Sequence, residues 1–209
     1  MNAPDITKRP THTEDGGPIL YFTFDDGPAE DTAGVLNVLE QHGAKATFFV
    51  VGQMVQKHPG LLRAEAEAGH YIGNHTFTHP HLEGMPHADF LRELNETAAV
   101  VQTAAGELLT IDGRMHLMRP PYGSIDENTA PWSRELGYDM VLWDIDPNDW
   151  DQPGADKIAS QVLAEAWPGA IVLLHDGGGD RSQTVTALQL ILPNLASNGY
   201  LFHSLYLGW

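Results

Sequence analysis

The sequence predicts an α/β fold in which strands and helices alternate along a parallel sheet. Three observations predict it. Short apolar runs recur between longer segments with helical spacing. The runs lie roughly 25–45 residues apart, which leaves room for one crossover helix each. Ionisable residues gather just after the runs, on the edge of the sheet where β/α folds build their sites.

Ile19–Phe24 is an apolar, aromatic run closed by Asp25-Asp26-Gly27-Pro28, a strand followed by a turn. Thr32–His42 carries Val35, Leu36, Val38 and Leu39 at helical spacing and stops at Gly43. Ala46–Val51 is a second strand, Pro59–Ala68 a helix closed by Gly69, and His70–Gly73 a short third strand. Pro86–Ala105 places Phe90, Leu91, Leu94, Ala98 and Val101 on one face of a long helix. His116–Met118 is a brief strand ending in Arg119-Pro120-Pro121-Tyr122, and Glu127–Leu136 is a helix closed by Gly137. Met140–Trp143 is a strand and Asp156–Trp167 a helix. Ala170–Leu174 is a strand running into His175-Asp176 and three glycines, Ser182–Ala196 a helix, and Tyr200–His203 the last strand. Seven strands with six helices fit either a barrel or an open doubly wound sheet. No G-x-G-x-x-G loop follows the first strand, which argues against a dinucleotide site.

Composition narrows the function classes. With 209 residues, 42% of them hydrophobic, the chain suits one globular domain with a sizeable core. Residues 1–17 are expected as a flexible arm and 18–209 as the domain. No run of 18 or more apolar residues is present, so no membrane span is expected. Eleven Lys plus Arg stand against 28 Asp plus Glu, a net charge of -17, which disfavours nucleic acid and anionic membranes. A neutral polymer such as a polysaccharide meets no such repulsion. Cysteine is absent, so a metal here needs histidine and carboxylate ligands. Met1–Gly17 has no apolar core segment and does not read as a secretory signal. The compartment is left open between the cytoplasm and export.

Five strand ends carry ionisable residues: Asp25 and Asp26; His75 and His79; Arg119; Asp146 and Asp149; His175. His75 and His79, four apart, would share one face of a helical turn and could share a metal, with Pro80 stopping the turn. Such a pair alone also describes two surface or core histidines, and His81 reads more simply as a solvated neighbour. Asp25-Asp26 would leave an extended strand in opposite directions, one carboxylate towards a metal and the other towards a bound water. Alone, it equally describes a turn cap. His175 suits either a general acid or a strand-end histidine bonded to backbone. Arg119, stiffened by two prolines, could pin a carboxylate or be a surface charge.

Taken in order, these motifs are familiar. Thr23-Phe24-Asp25-Asp26-Gly27-Pro28, His75-Thr76-Phe77-Thr78-His79, Arg119-Pro120-Pro121-Tyr122-Gly123, Asp146-Pro147-Asn148-Asp149-Trp150 and Ile171-Val172-Leu173-Leu174-His175-Asp176 follow one another. The chain resembles the polysaccharide deacetylases of carbohydrate esterase family 4, the NodB homology domain, over about residues 19–207. The resemblance implies a distorted, incomplete (β/α) barrel of about seven parallel strands. It implies one divalent metal on Asp26, His75 and His79, best suited to Zn2+, with Co2+, Ni2+ or Mn2+ also accommodated. Asp25 matches the family's base and His175 its acid. Arg119 matches the residue that orients the base, and Asp149 the one that tunes the acid. Tyr122 matches the oxyanion position through its backbone N–H, and Trp150 and Leu173 match the walls of the acetyl pocket. The implied activity is removal of acetyl groups from N-acetylglucosamine units of chitin, chito-oligosaccharides or peptidoglycan, by a monomer. Acetylxylan ester hydrolysis on the same site and a non-catalytic carbohydrate-binding barrel are the alternatives. Another barrel metallohydrolase fits poorly, because those usually place an H-x-H pair on the first strand.

Overall fold

The computed structural model describes residues 9–109 and 112–205. Seven strands form one parallel sheet: β1 (Ile19–Asp25), β2 (Thr47–Val50), β3 (Tyr71–Asn74), β4 (Leu117–Met118), β5 (Asp139–Met140), β6 (Ile171–His175) and β7 (Leu201–Phe202). The order is β5-β4-β3-β2-β1-β6, with β7 pairing the start of β1. Past β5 the chain crosses to the opposite edge. Val141 still bonds Met118, whereas Asp144 and Ile145 bond Ile171 of β6. The sheet therefore curves almost round on itself without closing, and Leu142-Trp143 spans the seam. This is the incomplete barrel that the resemblance implied.

Alternation along β1 sorts the core into two layers, because successive side chains point to opposite faces. Leu20, Phe22 and Phe24 join the larger cluster under the helices. Ile19 and Tyr21 point inward and pack with Phe49, Tyr71, Leu117, Val141 and Ile171. Asp25 is the last inward position, so β1 delivers a carboxylate to the barrel mouth and nowhere else.

The crossovers are α1 (Thr32–Gln41), α2 (Gly52–Lys57), α3 (Pro59–Glu67), α4 (His87–Ala105), α5 (Thr129–Glu135), α6 (Ala155–Glu165) and α7 (Ser182–Ser197). The sequence reading lacks α2. That turn starts where Gly52 and Gln53 N–H bond the carbonyls of Thr76 and Phe77, a long-range cap with no local signature. The fifth strand is shorter than Met140–Trp143 because residues 142–143 leave β4 to cross the seam. Of the expected flexible arm, residues 1–8 lie outside the described residues. Residues 9–17 are tied down: Arg9 Nη2 meets Asp144 Oδ2 at 2.6 Å, Tyr21 donates its hydroxyl to Pro10 O, and Ile19 N bonds Thr11 O. Polar, non-periodic sequence there hid a segment held by hydrogen bonds rather than by apolar packing.

Candidate metal centre and active site

At the mouth, Asp25 ends β1 and Asp26 follows with φ 73, in the left-handed region. This twist breaks strand alternation. Both carboxylates turn to the same cleft, where the sequence reading had them pointing apart. The turn is crowded: a Cβ on Gly177 would lie 2.2 Å from Asp26 O, and one on Gly178 would lie 2.5 Å from Asp26 Oδ2. Only glycine allows that approach.

His75 and His79 reach the cleft from an irregular loop after β3, not from the helical turn that their spacing suggested. Thr76 (φ 67) and His79 (φ 60) are left-handed, which no helix accommodates. Asn74 Oδ1 accepts from Thr76 N, and the buried Glu93 carboxylate accepts from Phe77 N, Thr78 N and Thr78 Oγ1, each bond 2.8–2.9 Å. A buried acid on α4 thus replaces the hydrogen bonds of a helix. His75 Nδ1 lies 2.7 Å from the carbonyl of Arg119. A carbonyl only accepts, so Nδ1 carries a proton and Nε2 is the nitrogen left to face the cleft. That Nε2 lies 3.5 Å from Asp26 Oδ1, and His79 Nε2 lies 3.0 Å from the same oxygen.

One ligand atom from each of Asp26, His75 and His79 falls within 4.8 Å of the other two. Asp26 Oδ1 is buried, yet no donor meets it at hydrogen-bond geometry. Burial pushes the Asp26 pKa up, but the neighbouring imidazoles of His75 and His79 outweigh this and hold it far below the ordinary carboxylate range. An orphaned anionic oxygen facing two imidazole nitrogens fits a divalent cation by donor type, spacing and charge. His81 does not join this group. It is exposed and stacks on Tyr122 with ring centroids 4.2 Å apart.

Arg119 is fully buried, and its Nη1 donates to Asp25 Oδ1 at 2.8 Å and to Thr23 Oγ1 at 2.7 Å. Nη2 reaches Leu142 O at 3.0 Å, and the guanidinium lies over the Phe49 ring. The group therefore pins Asp25 and ties down the seam at once. On the other side, His175 Nδ1 lies 2.7 Å from Asp149 Oδ1, while Asp149 Oδ2 accepts from His175 N and Thr184 Oγ1. Burial alone would lower the His175 pKa. The hydrogen bond and charge of Asp149, with smaller contributions from Asp25 and Asp26, push it up to about 9.

These groups line a cleft of about 610 Å3. Of the residues expected at the site, Asp25, Asp26, His75, His79, Tyr122, Trp150, Leu173 and His175 face it, and Arg119 and Asp149 stand behind. Asp146, noted only as a strand-end acid, also lines it. The sequence reading missed Trp143, Gly178 and Arg181 on its walls. The arrangement gathers three side chains that could hold a cation, a pinned carboxylate and an imidazole backed by a carboxylate around one cavity, which is a set suited to metal-assisted hydrolysis.

Comparison with known proteins points to one family. The family pattern described as Polysaccharide deacetylase matches residues 12–141. A protein of Rhizobium leguminosarum bv. trifolii named chitooligosaccharide deacetylase is 41% identical over 198 residues, covering 89% of each chain. A Bacillus cereus protein named peptidoglycan-N-acetylglucosamine deacetylase is 41% identical over 187 residues, covering 88% of this chain and 84% of its own. The solved structure of a family 4 carbohydrate esterase from Streptomyces lividans, in complex with acetate, superposes with a TM-score of 0.80 at 33% identity, covering 89% of this chain and 91% of that one.

Proposed function

We propose a function from one premise: this chain belongs to the polysaccharide deacetylase family. It hydrolyses the acetamide of N-acetylglucosamine units in a glycan, chito-oligosaccharide or peptidoglycan, releasing acetate and a free amino sugar. The observation that carries the reading is the convergence of Asp26, His75 and His79 around one point, flanked by Asp25 and His175 in one open cleft. The names of the Rhizobium and Bacillus relatives point to the substrate class.

Asp26, His75 and His79 would hold a divalent cation, zinc by preference for this donor set, with cobalt, nickel or manganese as substitutes. Such an ion supplies Lewis acidity and brings the pKa of water towards neutrality. Asp25 keeps one oxygen on Arg119 and takes the proton from the attacking water. The Tyr122 main-chain N–H stabilises the negative charge that develops on the acetyl carbonyl oxygen as its carbon is attacked. His175, holding its proton against Asp149, gives it to the departing nitrogen, so the C–N bond breaks to an amine and acetate. Trp150 and Leu173 border the space for the methyl group and exclude longer acyl chains. A single domain, residues 18–209 acting as a monomer, carries all these groups.

Acetate release from acetylated chito-oligosaccharide, peptidoglycan and acetylxylan, measured side by side, tests the reading. Release from the N-acetylglucosamine glycans exceeds that from acetylxylan. Release from acetylxylan alone would make the chain an ester hydrolase, and no release from any of them would leave only a binding role.

A further inference from the structure

Two loops meet on one wall of the cleft, residues 148–154 and residues 177–183, and Arg181 lies at their junction. It is 5% exposed and lines the cleft. Its Nε donates to Gly177 O at 2.7 Å, Nη2 to Gly178 O at 3.0 Å and Nη1 to Trp150 O at 3.2 Å. Its own main-chain N–H donates to Asp31 Oδ2 at 2.6 Å. The guanidinium thus spends its fork on three backbone carbonyls, and a fork of fixed geometry fixes the relative positions of all three.

What those carbonyls carry gives the contact its consequence. Trp150, 52% exposed, sits on a single 3-10 turn between Asn148 (φ 54) and Gln152 (φ 52). Asn148 takes this conformation readily and its N–H donates to Asp146 Oδ1 at 2.9 Å, and Asp149 is anchored on His175 N and Thr184 Oγ1, but Gln152 has no such preference. The Trp150–Gly154 end of the turn is held from across the cleft wall: by Arg181 on Trp150 O, by Gln152 Nε2 on Asp180 O at 3.1 Å, and by Gly154 N on Gln183 Oε1 at 2.7 Å. Gly178, at the other end of the fork, packs against Asp26 Oδ2. One side chain therefore links the Trp150 turn to the loop that presses on the metal-site carboxylate.

We propose that Arg181 is the positioning residue that sets the width of the acyl-binding wall, and so the enzyme's preference for acetyl over longer acyl groups. The proposal rests on the deacetylase reading of the same cleft. With the fork lost, the Trp150 turn moves outward and admits an extra methylene. Lysine keeps the charge but, with one compact ammonium, cannot bridge three carbonyls.

The test compares wild type with Arg181→Lys and Arg181→Gln on N-acetyl and N-propionyl chito-oligosaccharides. In both variants the acetyl-to-propionyl ratio of kcat/KM falls by at least about tenfold, the scale of one methylene in a fitted pocket. Most of the change is a gain in kcat/KM on the propionyl substrate, with KM for the acetyl substrate nearly unchanged and zinc still bound. Hydrogen exchange supplies a readout that needs no activity. Amides of residues 148–154 speed up in Arg181→Lys, while those of β1 and β6 do not. Gln183→Ala, which removes a neighbouring clasp, shifts the ratio in the same direction and serves if the arginine variants do not fold. An unchanged ratio or unchanged exchange in a folded variant overturns the proposal, even if the melting temperature drops. A wild type that releases no acyl group at all would instead sink the deacetylase reading, and the exchange experiment would still decide the role of the clasp.

Discussion

Asp149→Asn removes a charge from behind His175 and almost no volume. The carboxylate receives three hydrogen bonds, one from the imidazole Nδ1 and two from His175 N and Thr184 Oγ1. An amide offers one oxygen, so it cannot accept on both sides. Either the imidazole adopts the wrong tautomer or an N–H faces a donor. The His175 pKa rises from 6.5 to about 9, with burial opposing and Asp149 the largest favourable influence. That rise corresponds to about 3 kcal/mol favouring the protonated ring. A cation bound beside Asp26 would offset the smaller share from Asp25 and Asp26 but leave that of Asp149. The sign is fixed: a raised histidine keeps its proton at neutral pH and loses it as pH rises through about 9. In the variant that loss begins near the ordinary histidine value, about 6.5, or below. The assay is kcat/KM for acetylated chito-oligosaccharide from pH 5.5 to pH 9.5. The wild-type-to-variant ratio should grow about thirtyfold between pH 5.5 and pH 8, on top of any uniform loss. Parallel profiles from an active variant would refute the assignment of His175 as the acid tuned by Asp149.

Three further outcomes follow from buried groups. Glu93→Ala leaves Phe77 N and Thr78 N without their acceptor and frees the His79 loop. Zinc affinity, read by titration, should fall about 10–100-fold although no ligand has changed. Arg119→Met strands the buried Asp25 carboxylate, so the melting temperature should drop by the equivalent of about 3–5 kcal/mol and activity should vanish. Glu65 on α3 is fully buried with neither oxygen bonded, and burial, then the nearby Asp176, raises its pKa well above the ordinary value. A carboxyl raised on folding loses stability as pH climbs from its unfolded pKa towards its folded one. Glu65→Leu should therefore stabilise by about 1–3 kcal/mol, with a gain in thermal melts that widens as pH rises from 5 to 8.

The strand ends were legible because their chemistry is local. Asp25, Asp26, Arg119 and His175 each follow an apolar run directly, and order alone brought them to one edge. The path of residues 75–79 was not legible. A four-residue spacing suits a helix, whereas the actual turn depends on Thr76 and His79 in left-handed conformation and on Glu93 from a later helix. Likewise, the Asp25-Asp26 pair gave the residue types but not the twist at Asp26 that aims both at one cavity. Arg181 had no signal at all, because its acceptors are backbone carbonyls that no residue type marks. Residue patterns alone left a barrel and an open sheet equally possible, and only the family resemblance pointed to near-closure, because the seam bonds of Asp144 and Ile145 are main-chain bonds across distant sequence.

Chelation and reconstitution test the central claim most directly. Stripping divalent cations should abolish acetate release from acetylated chito-oligosaccharide, and one equivalent of zinc per chain should restore it. His79→Ala should bind no zinc and stay inactive throughout. Undiminished acetate release from the stripped protein, or from His79→Ala, would contradict the account.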